Sequence, residues 1–109
     1  MKELKIDFDK VHTANDLHDE LNKSFGFLDG YGRNINALID CWSSLRYPED
    51  EMVAISLKEG ERLILSLVNV SDDKMELIDY VMSAVKNVNY RYSIKGYESV
   101  ILINMIGKY

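Results

Sequence analysis

The sequence predicts one α/β domain over residues 1–109, with a mainly parallel central sheet flanked by helices and one added hairpin. Three observations lead there. Strand-like runs at 4–8, 52–57, 62–68 and 100–105 are separated by stretches whose apolar residues recur at helical spacing. Two of those runs are apolar almost throughout, as in central strands covered on both faces. The order β-α-α-β-β-α-β joins most strands through helices, which calls for parallel pairing and right-handed crossovers.

Each element has its own local reason. Leu4-Lys5-Ile6-Asp7-Phe8 alternates apolar and polar side chains, as a first strand does. Asn15 stands as a helix N-cap, and Asp16, Asp19 and Glu20 suit the positive end of the helix dipole. Leu17, Leu21 and Phe25 form the buried stripe of a helix over 16–25, and Gly26 stops it. His18 has no partners at metal-ligand spacing, so it reads as a packed or surface residue. The loop 27–32 carries two glycines, which aim Tyr31 and open the next helix. It lacks the lysine of a phosphate cradle.

Asn34 caps a second helix that ends near Ser43-Ser44. Ile35, Leu38 and Trp42 fall on one apolar stripe, and Asn36, Asp40 and Ser43 share the opposite, wet side. Ile39 sits on the border. Cys41 leans to the apolar side as an inert buried thiol. An acidic loop, 47–51, follows. Strands 52–57 and 62–68 then form a hairpin about Lys58-Glu59-Gly60-Glu61. Ser71 caps a third helix, 73–87, with Met75, Ile78, Val81, Met82, Val85 and Val88 at helical spacing. Residues 89–94 alternate as a short edge strand, 95–98 turn, and 100–105 form the last, central strand. The expected core includes Ile35, Leu38, Trp42, Leu65, Ile78, Val81, Val85 and Leu102.

At 47% hydrophobic residues the chain can bury a core without metals or staples. One cysteine rules out an intramolecular disulfide. The N-terminus has no apolar run of signal-peptide length, and no stretch reaches the length of a membrane span, so a cytoplasmic location is expected. A net charge of -5 argues against binding nucleic acid and suits a basic protein partner. The carboxylates are scattered, with no histidine or lysine at a telling spacing. No serine-nucleophile motif or metal cluster is present. An enzyme, a metal site and a cofactor are therefore not expected.

The residues Asn15-Asp16-Leu17-His18, Leu21, Phe25-Gly26-Phe27, Tyr31-Gly32-Arg33-Asn34, Ala37-Leu38, Asp40-Cys41 and Tyr47-Pro48 resemble the barstar family. Its members are small intracellular inhibitors of secreted bacterial ribonucleases. The likeness spans 15–48 and centres on the pattern Tyr-Gly-x-Asn-x-x-Ala-Leu-x-Asp-Cys. It implies an inhibitor without catalysis, monomeric when free, that plugs a basic ribonuclease or nuclease toxin with helix 34–44 and the preceding loop. The partner-binding residues it implies are Tyr31, Gly32, Arg33, Asn36, Ile39, Asp40 and Ser43, with the Asp40 carboxylate where the substrate phosphate would sit. The chain departs from the pattern at Gly30 and Ile39, where aromatics are common, and at Asn36, where aspartate is common. The third-helix glutamate that reaches the nuclease has no sure counterpart in the sequence. A small cytoplasmic enzyme or ligand-binding module on a similar core is the alternative. A flat or convex acidic patch at Asp40 would fit the inhibitor, and a deep pocket the enzyme.

Overall fold

The computed structural model describes residues 1–108. Strand β1 (Lys2–Asp7) leads to helix α1 (Ala14–Phe25) and helix α2 (Ile35–Ser43). Strand β2 (Leu63–Val70), helix α3 (Met75–Ile94) and strand β3 (Ile101–Gly107) follow, with single 3-10 turns at Phe8–Lys10, Pro48–Asp50 and Asp72–Lys74. The sheet order is β1-β2-β3, and both pairings are parallel. Strand order follows chain order, so right-handed crossovers return over one face. The burial agrees. Ile6, Leu63, Leu65, Leu67 and Ile101 share that face and are essentially inaccessible. Glu3 and Lys5 point the other way and are exposed.

Local chemistry places the helices. Thr13, not Asn15, caps α1: its Oγ1 accepts from Asp16 N at 3.1 Å, while Asp16 Oδ2 accepts from Thr13 N at 3.2 Å. This capping box satisfies otherwise orphaned amides. A further bond from His12 N makes the amides hold the Asp16 carboxyl below the ordinary carboxylate range. Gly26 ends α1 at φ 68°, where a Cβ would lie 2.7 Å from Ala54 Cβ, so glycine serves both the turn and the packing. Asn34 caps α2 as expected, its Oδ1 accepting from Ala37 N at 2.8 Å.

The α/β class with a parallel sheet holds, and three parts of the expectation change. The hairpin is absent. Residues 52–57 send their backbone bonds elsewhere: Ala54 N to Gly26 O at 2.7 Å, Leu28 N to Met52 O at 3.0 Å and Leu57 N to Leu45 O at 2.7 Å. Both edges of β2 are already filled by parallel neighbours, so no antiparallel partner can reach it. The edge strand at 89–94 is the last part of α3, because Val81, Val85, Val88 and Tyr92 continue one buried face at helical spacing. The alternation of Tyr90, Tyr92 and Ile94 coincides with that face only at Tyr92.

The third change concerns β3, which is an edge strand; Leu102 is therefore only partly covered. Asn89 of α3 covers its outer start, giving Nδ2 to Ile101 O at 2.9 Å and accepting from Val100 N and Ile101 N. Ile35 lies at the core margin, half-buried, while Leu38, Trp42, Leu65, Ile78, Val81 and Val85 are buried as expected. Cys41 is a free thiol whose burial pushes its pKa up to about 11.

Leu38 is fully inaccessible. Leu38→Ala is expected to cost about 2–5 kcal/mol in chemical denaturation, through lost burial and the cavity left behind. A loss near zero would mean that α2 does not pack by this stripe.

Candidate functional site

The solvent face of α2 presents Asn36 and Asp40, both exposed, with Ser43 beside them partly covered. Asp40 lies in the last turn of α2, where the negative end of the helix dipole disfavours a carboxylate. A cation from α3 offsets this. Arg91 Nη1 lies 3.0 Å from Asp40 Oδ1 and 3.1 Å from Ser43 Oγ. Ser43 Oγ donates its own proton to Ile39 O at 2.6 Å, leaving its lone pairs for the guanidinium. The carboxylate keeps 55% of its side-chain accessibility and Arg91 49%, so the pair contributes about 1 kcal/mol at most.

The surroundings of Asp40 are mixed in charge. Tyr92 OH donates to Ser43 O at 2.7 Å and so holds α3 against the end of α2. Tyr47 stacks on Tyr92 at 6.3 Å, and Lys95 Nζ sits 4.7 Å over the Tyr47 ring. Together Asp40, Ser43, Tyr47, Asp50, Arg91 and Lys95 border an open cleft of about 730 Å³. The surface at Asp40 is therefore neither purely acidic nor convex. No histidine or cysteine lines the cleft, and within it Ser44 Oγ donates to Asp50 Oδ2 at 3.1 Å.

The remaining expected contact residues divide. Gly32 is exposed, and a Cβ there would meet Ala37 Cβ at 3.2 Å, so the loop lies close on the first turn of α2. Arg33 is exposed at φ 55°, but its Nη2 is tied back to α1 by Asp19 Oδ1 and Asn15 O, each at 2.9 Å. Ile39 is 7% exposed and belongs to the core, which leaves it little surface to offer. Tyr31 is half-buried and turns inward: its ring packs 4.4 Å from Phe27, and its hydroxyl meets His18 Nδ1 at 2.7 Å. The structure thus gathers Asn36, Asp40 and Ser43 on one face and assigns Tyr31 and Ile39 to the support beneath.

His18 resolves as a buried residue between two tyrosines, with Nε2 3.0 Å from Tyr80 OH. The neutral ring donates through one nitrogen and accepts through the other, which matches two hydroxyls. Burial lowers its pKa, and burial raises the Tyr31 hydroxyl well above the ordinary phenol value. Sequence reasoning missed this bridge, and it missed Arg91 and Lys95. The last two stand four residues apart, a spacing that carries meaning only once 89–94 is read as helix. Among the described residues, no three His, Cys, Asp or Glu side chains gather as metal ligands would. No helix there is long and apolar enough to cross a membrane.

A family model described as Barstar (barnase inhibitor) matches residues 1–93. A Bacillus subtilis (strain 168) protein named "Putative ribonuclease inhibitor YrdF" is 31% identical over 87 residues, covering 80% of this chain and 92% of that protein.

The depressed His18 pKa has a defined pH signature. The folded state holds the ring neutral, so its contribution is complete above the unfolded value of about 6.5. It is lost as pH falls below that value toward the folded one. Between pH 7 and about pH 5, His18→Gln is expected to lose less stability than the parent in denaturant titrations. Equal losses would show that the ring does not titrate out of place.

Proposed function

This chain belongs to the barstar family, and from that premise we propose that it is an intracellular immunity protein against a basic bacterial ribonuclease or nuclease toxin. In this reading it performs no catalysis and acts by occupying its target's active site. The observation that carries it is Asp40: an accessible carboxylate on the solvent face of α2, in the Asp-Cys position of the family pattern, on a helix capped by Asn34 whose entry loop is held by Tyr31.

The chemistry follows from what a ribonuclease must bind. Its active site holds a phosphodiester with arginine and lysine, and a carboxylate placed there accepts charge-assisted, often bidentate hydrogen bonds. Asn36 and Ser43 flank the anchor on one side, and Gly32 and Arg33 carry the loop edge on the other. The net charge of -5 speeds encounter with a basic partner and orients it. The name of the Bacillus relative supports the same reading. The cleft beside Asp40 is open and has no histidine or cysteine in its lining, which weighs against an enzyme.

The test is inhibition of RNA cleavage by purified barnase and other ribonucleases of its type. Asp40→Ala is expected to fold normally, because an exposed acid contributes little to stability. Its binding should weaken by about 2–5 kcal/mol, a general range for leaving an interface charge unpaired to which the barnase–barstar pair itself contributed. Asn36→Ala should cost less, since a neutral amide bonds a cation more weakly. Rising salt should slow association. An Asp40→Ala protein that inhibits as tightly as its parent would place the contact surface elsewhere.

A further inference from the structure

We propose that the partner presents a carboxylate to Arg91 and Lys95, and that binding exchanges the Asp40–Arg91 ion pair for two ion pairs across the interface. This rests on the inhibitor reading and specifies the chemistry of its target. The anchoring carboxylate is not free. Arg91 Nη1 already sits 3.0 Å from it, with Ser43 Oγ as a second acceptor at 3.1 Å. A partner surface made only of cations would approach Asp40 and Arg91 together, and like charge on Arg91 would oppose what Asp40 attracts.

The same geometry shows what is missing. Arg91 uses only Nη1 within the described residues, so Nε and Nη2 remain able to donate to a carboxylate in the forked manner of guanidinium. Lys95 stands one helical turn further on, its Nζ resting on the Tyr47 ring and 3.2 Å from the Tyr47 hydroxyl. Both cations lie in or just past the last turn of α3, and with Asp40 they border the cleft of about 730 Å³, whose lining includes Tyr47 and Tyr92. Tyrosine and arginine around a depression that admits a side chain are the composition of an interface anchor. Two cations and two acids, Asp40 and Asp50, line that cleft, so the site complements neighbouring opposite charges on the partner rather than one sign. A ribonuclease that cleaves by acid–base chemistry can supply this with a carboxylate beside its phosphate-holding cations.

The experiment measures inhibition of RNA cleavage by barnase and barnase-type ribonucleases, using the parent, Arg91→Ala, Arg91→Lys, Lys95→Ala, Arg91→Glu, Asp40→Asn and Asp40→Asn/Arg91→Ala. On the nuclease that the parent inhibits best, Arg91→Ala should weaken inhibition about tenfold or more, Arg91→Lys should recover part of the loss, and Arg91→Glu should be worst. Lys95→Ala should weaken it less. The Arg91→Ala factor should persist in the Asp40→Asn background, because there Arg91 has no carboxylate of its own to position. If Arg91→Ala is neutral, if Arg91→Glu tightens inhibition, or if the factor vanishes with Asp40→Asn, the proposed carboxylate contact is wrong. If the parent and all variants leave every nuclease active, the inhibitor reading itself fails and this inference falls with it.

Discussion

The orientation of α2 is the constraint on which the rest of the site depends. A helix of 9 residues has almost no stability in isolation, so packing decides how it turns about its axis. Leu38, Cys41 and Trp42 lock it against the body of the protein, and each is at most 1% exposed. Any rotation that moved Asp40 inward would bring Trp42 toward water and a lone carboxylate into the core. Both changes are costly. The exposure of Asp40 is therefore a consequence of the apolar stripe behind it.

The support under that helix is polar as well as apolar. His18 in α1 bridges the hydroxyls of Tyr31 and of Tyr80 in α3, and Tyr92 in α3 donates to the carbonyl of Ser43. The entry to α2 is thus tied to two helices and its exit to one of them. Buried hydrogen bonds of this kind cost much when broken and fix one arrangement when satisfied. Asp40 is presented on a clamped element rather than on a mobile loop.

Much of this was legible in the residues. The period of Ile35, Leu38 and Trp42 gave α2 its facing, and Asn34 its cap. The apolar run at 63–68 marked a central strand, which β2 is. The errors came from tertiary choices that a local pattern does not carry. Residues 52–57 have strand-like composition, yet they pack on the α1–α2 junction because β2 offers no free edge. Tyr90, Tyr92 and Ile94 alternate, yet only Tyr92 is buried, on the face begun by Val81. That mistake also hid Arg91, whose place beside Asp40 depends on the helix continuing. Ile39 looked like a border residue because 3.6-residue periodicity does not say how wide the buried stripe will be. The inward turn of Tyr31 had no sequence signal apart from a histidine without metal partners.

The ion pair at Asp40 joins residues 51 positions apart, and the tyrosine clamp above it joins Tyr92 to Ser43 across 49. During synthesis α2 therefore leaves the ribosome long before its partners in α3. Until α3 is complete, α2 has only the α1 side to rest on, where Phe25 packs 5.4 Å from Trp42, and its carboxylate has no cation beside it. A nascent or prematurely terminated chain ending before the last turn of α3 lacks both Arg91 and the Tyr92 tether. The exposed face of α2 is therefore assembled only after the last turn of α3 has been made.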